Sequence, residues 1–170
     1  MHALSSLATL VSLCSRLTAA FTNPIRTGSD PQMVYVDGLY YLTSTTWTDV
    51  RITSAPTIDG LKTAESKVIY SDTTSNPNIA CNFWAPEMHI VGGRWYVYFS
   101  ASVCDPDWGI VLPSLRVYVL GGGAENPLSS NYELLGPITP PNYSEGMLDA
   151  VSKAALSRDS YIMPYEANQD

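Results

Sequence analysis

From Phe21 onward, apolar and polar residues alternate in short runs rich in Tyr, Val, Ile and Thr. Each run is broken by Gly, Pro, Asn or Asp, and none sustains a helical period. The pattern predicts an all-β chain. Residues 33–36 and 39–45 flank Asp37-Gly38, a dipeptide favoured in type I′ hairpin turns. Residues 50–54 and 67–70 are weaker strand candidates. A polar loop, 71–80, then leads to Cys81-Asn82-Phe83-Trp84-Ala85-Pro86-Glu87-Met88-His89 and a second hairpin turning at Gly92-Gly93.

The two hairpins repeat each other. Pro31, Met33, Val36, Gly38, Tyr40 and Tyr41 align with Pro86, Met88, Val91, Gly93, Trp95 and Tyr96, every pair 55 positions apart. A recurring β-hairpin unit at a period near fifty predicts propeller blades, four-stranded sheets that stack on neighbours to bury their faces. Two blades fit: strands at 33–36, 39–45, 50–54 and 67–70, then at 87–91, 94–101, 115–120 and 132–136. Two similar hairpins within one β-sandwich are the competing reading. Paired positions across a Gly92-Gly93 turn sum to 185, and so do Cys81 and Cys104. They face each other if pairing extends that far, which leaves a disulfide or two buried thiols.

Composition adds the compartment and the partners. Residues 1–20 hold an apolar run from Ala3 to Leu13, one charged residue (Arg16) and small residues before Phe21, the layout of a secretory signal peptide. Its removal takes Cys14 and leaves eight basic against sixteen acidic residues, a net −8. That charge argues against nucleic acid and anionic membranes as partners, and no later run is long enough to span a bilayer as a helix. Eleven Tyr and four Trp against three Phe favour rings that stack on a sugar while their polar edges hydrogen-bond. Asn142-Tyr143-Ser144 is a glycosylation sequon. Residues 151–170 are polar and poorly patterned, so the chain is expected to pass two blades and stop within a third, as a truncated or mis-spliced product would.

Gly28-Ser29-Asp30-Pro31, Tyr35-Val36-Asp37-Gly38-Leu39-Tyr40-Tyr41 and Trp84-Ala85-Pro86-Glu87 together resemble glycoside hydrolase family 43, from about Phe21 to Ala150. The resemblance implies a partial five-bladed β-propeller and a secreted enzyme that removes arabinose or xylose from plant cell-wall polysaccharides with inversion. Sucrose-splitting relatives carry their early Asp after Asn, where this chain has Ser29. Inversion needs a carboxylate base to activate water and a protonated carboxyl to serve the leaving oxygen, roughly 6.5–9.5 Å apart. By the resemblance Asp30 is the base and Asp149 the carboxylate that tunes the acid. Trp84 walls the cleft, and Glu87 and His89 support the blade. The general acid, a Glu in a later blade, is not found: Glu145 lies on the wrong side of Asp149, and Glu166 sits in the unpatterned tail. No cofactor is expected, and the family's occasional central metal has no readable ligand set here. This chain alone is therefore expected to hydrolyse poorly. The alternatives are a non-catalytic carbohydrate-binding half-propeller, or a fragment without function whose open sheet edges need covering.

Overall fold

The computed structural model describes residues 23–72, 76–129 and 131–138. Eight strands form two four-stranded antiparallel meanders. The first comprises β1 (Gln32–Val36), β2 (Leu39–Thr43), β3 (Val50–Ala55) and β4 (Ser66–Tyr70). The second comprises β5 (Cys81–Val91), β6 (Arg94–Ser102), β7 (Arg116–Gly121) and β8 (Glu133–Ile138). Within each sheet the strands pair in chain order, and the sheets meet through their first strands, β1 against β5. That is how neighbouring blades sit; an immunoglobulin-like sandwich interleaves its sheets by Greek-key crossovers.

Local chemistry explains the hairpins. Asp37 and Gly38 take φ of 48° and 81°, and Gly92 and Gly93 take 56° and 78°, the left-handed pairs that a type I′ turn requires. Alternation then sorts the side chains. Val34, Val36, Leu39, Tyr41, Val50 and Ile52 of the first blade meet Phe83, Met88, Trp95, Val97, Phe99 and Leu120 of the second in one shared core. At its centre Phe83 and Phe99 stack with ring centroids 5.6 Å apart, and Tyr70 leans on both. The side-chain amide of Gln32 donates to the Met88 carbonyl and accepts from the Met88 N–H, both at 3.1 Å, which joins β1 to β5 directly.

Four details depart from the pattern read off the sequence. Strand β5 begins at Cys81, six residues before the expected 87. Its pairing with β6 keeps the 185 sum from Val91↔Arg94 to Glu87↔Tyr98, then slips to Trp84↔Ser100 and Cys81↔Ser102. Pro86 has no N–H to give the ladder, so one bulge forms between Trp84 and Glu87 where the strand passes it; the other slip, between Cys81 and Trp84, contains Asn82 with its φ of 61°. Cys81 and Cys104 are disulfide-bonded, with Cα atoms 5.1 Å apart, but through the chain beyond Ser102 and not through continued pairing. Finally, a short helix, α1 (Trp108–Ser114), interrupts the connection from β6 to β7. Asp105 accepts from the Asp107 N–H and Asp107 from the Gly109 N–H, both at 2.8 Å, so two successive Asx turns start it.

Candidate active site

In a meander the entry to the first strand and the connection from the second to the third lie at the same end of the sheet. That rule gathers Asp30, Trp47, Trp84 and Trp108 at one end of the two blades. Asp30 precedes β1, and Trp84 lies near the start of β5. Trp47 follows β2, and Trp108 opens α1 after β6.

The Asp30 carboxylate is exposed, yet held. Thr45, 6% exposed, donates its hydroxyl to Asp30 Oδ2 at 2.8 Å, while its Oγ1 accepts from the Ala85 backbone N–H at 2.9 Å. The Ala85 N–H can only donate, so the single hydroxyl proton of Thr45 is left for Asp30, and the direction of the chain is fixed. The Thr45 N–H also bonds the Ser29 carbonyl at 3.0 Å. Asp30, Trp47, Asn82 and Ala85 have φ of 52°, 78°, 61° and 42°. Left-handed backbone at non-glycine residues costs about 1–3 kcal/mol each and clusters at functional sites. Here it marks the seam where the loop after β2 meets the start of β5: Asn82 N–H bonds the Trp47 carbonyl at 3.1 Å, and Trp47 bridges Phe83.

The loop carrying Trp47 is braced from below by Asp49. Its carboxylate takes bidentate hydrogen bonds from Arg51, with Nε at 2.6 Å from Oδ1 and Nη2 on Oδ2, and further bonds from Thr46 and Thr48. Burial pushes the Asp49 carboxyl up, but the Arg51, Thr48 and Thr46 hydrogen bonds and the Arg51 charge outweigh it and hold it below the ordinary value.

The three indoles form a connected group. Trp47 meets Trp84 nearly at right angles with centroids 5.4 Å apart, and Trp108 stacks on Trp84 at 6.0 Å and 22°. Trp47 and Trp108 are 53% and 51% exposed, whereas Trp84 is half-buried and its indole N–H is buried without a hydrogen-bond partner among the described residues. Most of the open indole surface therefore belongs to the flanking pair.

Glu87 and His89 bond each other at 2.9 Å, with the His89 ring edge-on to Tyr98. Asp149, Glu145 and Glu166 lie outside the described residues, as do residues 1–20, the sequon and the tail 151–170. Among the described residues no group of three or more His, Cys, Asp or Glu is placed to hold a metal ion. A cleft of about 330 Å³ is lined by Arg26, Ser29, Ser44, Thr46, Trp47 and Arg51 among others, with no carboxylate in its wall. That cleft shares Ser29, Thr45 and Trp47 with the mouth, to which Asp30 adds a carboxylate.

Sequence reasoning missed Thr45, Trp47 and Trp108. A signal for the tryptophans was present: both stand in polar stretches, Thr45-Thr46-Trp47-Thr48-Asp49 and Asp105-Pro106-Asp107-Trp108-Gly109, where an indole has no apolar neighbours to bury it.

The chain has counterparts among known proteins. Residues 21–150 match the family model described as glycosyl hydrolases family 43. The chain is 36% identical over 139 residues to an extracellular exo-α-(1→5)-L-arabinofuranosidase of Streptomyces avermitilis, across 79% of this chain and 27% of that protein. It is 34% identical to α-L-arabinofuranosidase 43 of Humicola insolens, across 75% of this chain and 25% of that one. It therefore spans about a quarter of the length of these curated relatives. The crystal structure of an α-L-arabinofuranosidase from Lactobacillus brevis superposes with a TM-score of 0.63 at 26% identity, covering 72% of this chain and 40% of the other. Forty per cent is the share that two blades of five would occupy, and the two meanders are part of a five-bladed β-propeller. With the model match spanning both blades and the Asp30 mouth, the chain belongs to glycosyl hydrolases family 43.

Proposed function

We propose that these blades supply the base side of an inverting glycosidase acting on arabinose-containing plant cell-wall polysaccharide, with Asp30 as general base. The observation that carries the reading is the Thr45 hydroxyl fixed between Ala85 and Asp30, which aims an exposed carboxylate at the propeller mouth. Asp30 takes a proton from a water molecule as that water attacks the anomeric carbon. A carboxylic acid on the other side of the sugar protonates the departing oxygen, and configuration inverts. Asp149 is proposed to orient that acid, Trp84 to stand behind the sugar, and the Glu87–His89 pair to support β5. The substrate class follows from the relatives named as arabinofuranosidases. Secretion is supported by the relative named extracellular and by the Cys81–Cys104 disulfide, which suits an oxidising compartment.

The acid's share of the work depends on the leaving group. General-acid catalysis is worth about 10²–10⁴ in rate when the leaving group is an alkoxide, and far less when it is an acidic phenol. Release of a nitrophenol from an aryl α-L-arabinofuranoside should therefore need the acid far less than release of arabinose from arabinan, and Asp30→Asn should abolish both. Turnover that survives Asp30→Asn would remove Asp30 from the role. Sugar binding without turnover of either substrate would favour a carbohydrate-binding half-propeller, for which the exposed indoles speak.

A further inference from the structure

The offset of 55 that relates the blades sets Glu87 in the place of Gln32 and His89 in the place of Val34. In β1, Val34 and Val36 turn toward the second blade, and Gln32 reaches across to both backbone groups of Met88. In β5, Met88 faces the first blade, so Glu87 and His89 turn the other way. Tyr98 agrees: its strand neighbours Val97 and Phe99 enter the shared core, while Tyr98 lies against His89 on the far face. Glu87 therefore looks outward from the second blade as Gln32 looks outward from the first.

The Glu87 carboxylate is held by one oxygen only. Oε2 lies 2.9 Å from His89 Nε2, and Oε1 has no hydrogen-bond partner among the described residues. An amide donates and accepts, whereas a carboxylate only accepts, so Glu87 in this place can take a backbone N–H. The face around it is apolar and partly open: Leu135, which lies over Gly121 while Leu120 enters the core, is 57% exposed. In a four-stranded meander the last strand ends where the first begins. The chain accordingly leaves β8 at the mouth end, where Ile138 pairs with Val117, and 32 residues follow in the sequence.

We infer that Glu87 positions the segment 147–156 of this chain on the far face of the second blade, its Oε1 accepting the backbone N–H of Ser152. The inference goes beyond support of β5 and rests on the proposed role of Asp149. Ala85, the counterpart of Asp30, stands three residues before Met88. With Asp149 in that place the residue received is Ser152, fourteen positions beyond Ile138, against eighteen from Tyr70 to Met88. Met147, Leu148, Val151 and Leu156 supply apolar side chains to cover the face. Glu87 touches no substrate; it is a positioning residue that brings Asp149 to the mouth as Met88 brings Ala85 to Thr45.

Hydrogen exchange of the 170-residue chain, read by mass spectrometry on peptides, should find 147–156 protected. Glu87→Ala should speed exchange of that peptide about tenfold and leave peptides from 94–102 and 116–121 unmoved. Glu87→Leu, which fills the same space without an acceptor, should behave like Glu87→Ala, and Glu87→Gln should keep most of the protection. An unprotected 147–156 in the parent, or protection unmoved in both Glu87→Ala and Glu87→Leu, would overturn the inference. So would a loss shared equally by 94–102, which would leave Glu87 only a support of β5, or protection that falls on dilution, which would give the face to a second copy. Protection as expected with turnover surviving Asp30→Asn would defeat only the catalytic proposal; turnover lost in Asp30→Asn with protection unmoved by the Glu87 variants would defeat only the positioning role.

Discussion

The two blade mouths are the same piece of backbone carrying different chemistry. Ser29-Asp30-Pro31 and Trp84-Ala85-Pro86 are 55 positions apart, and Asp30 and Ala85 share a left-handed φ ahead of their prolines. Ser29 faces Thr45 across the first mouth, and Trp84 faces Ser100, the residue 55 after Thr45, across the second. Where the first blade presents a carboxylate the second has a methyl group, and where the second presents an indole the first has a hydroxyl. A repeat can thus divide labour by single side chains while its main chain stays constant. The blades differ also in how each mouth is pinned. The second uses the Cys81–Cys104 disulfide, and the first, at the position 55 before Cys104, uses Asp49 and its Arg51 partner.

That difference can be broken most forcefully at the covalent pin. The disulfide spans a sequence separation of 23, and Cys104→Ser should cost about 3 kcal/mol, read as a lowered midpoint in urea. An unchanged midpoint would mean that the bulged ladder holds the second mouth without it. Next comes Thr45, the residue both mouths share. Thr45→Val leaves the buried Ala85 N–H unpartnered at a cost of about 1–3 kcal/mol and frees Asp30, whereas Thr45→Ser should keep both stability and turnover. A valine variant as stable and active as the parent would cut the link between the mouths. The noncovalent pin responds to acid. Asp49 has a lowered folded pKa, so its contribution is fully present above the unfolded value near pH 4 and fades as pH falls through the folded value. Arg51 is 41% exposed, which keeps this to less than about 1 kcal/mol. Asp49→Asn should flatten the fall in stability that the parent shows below about pH 4 in denaturant melts. The smallest effect is expected at Ala85, whose left-handed backbone offers alanine none of the compensation an Asp can find locally. Ala85→Gly relieves that strain but loosens the unfolded chain, for a net gain of about 0.5 kcal/mol; a loss would show that the Ala85 methyl group packs the seam.

The hairpins could be read from the sequence because alternation and turn chemistry are local. Asp37-Gly38 and Gly92-Gly93 dictate their turns whatever surrounds them, and the constant offset of 55 carried that reading to the blade level. Helix α1 escaped because seven residues, one of them Pro113, are too few to show a period. Pro86 marks one of the two bulges in β5, but how far a register slips depends on the partner strand. Among the candidate site residues, Asp30 was singled out through its neighbours Gly28, Ser29 and Pro31. Thr45 was not, because its value comes from touching two residues, one of them forty positions later in the chain.

The amide of Gln32 has a consequence for how the blades can move. By bonding both backbone groups of Met88, it behaves like one residue of an extra strand laid across the joint. In a strand only every second residue turns its N–H and C=O to the same side, so sliding β1 along β5 by a single residue would break both bonds and offer neither a replacement. The joint is therefore keyed like a lock bolt, free to open as a unit but unable to creep.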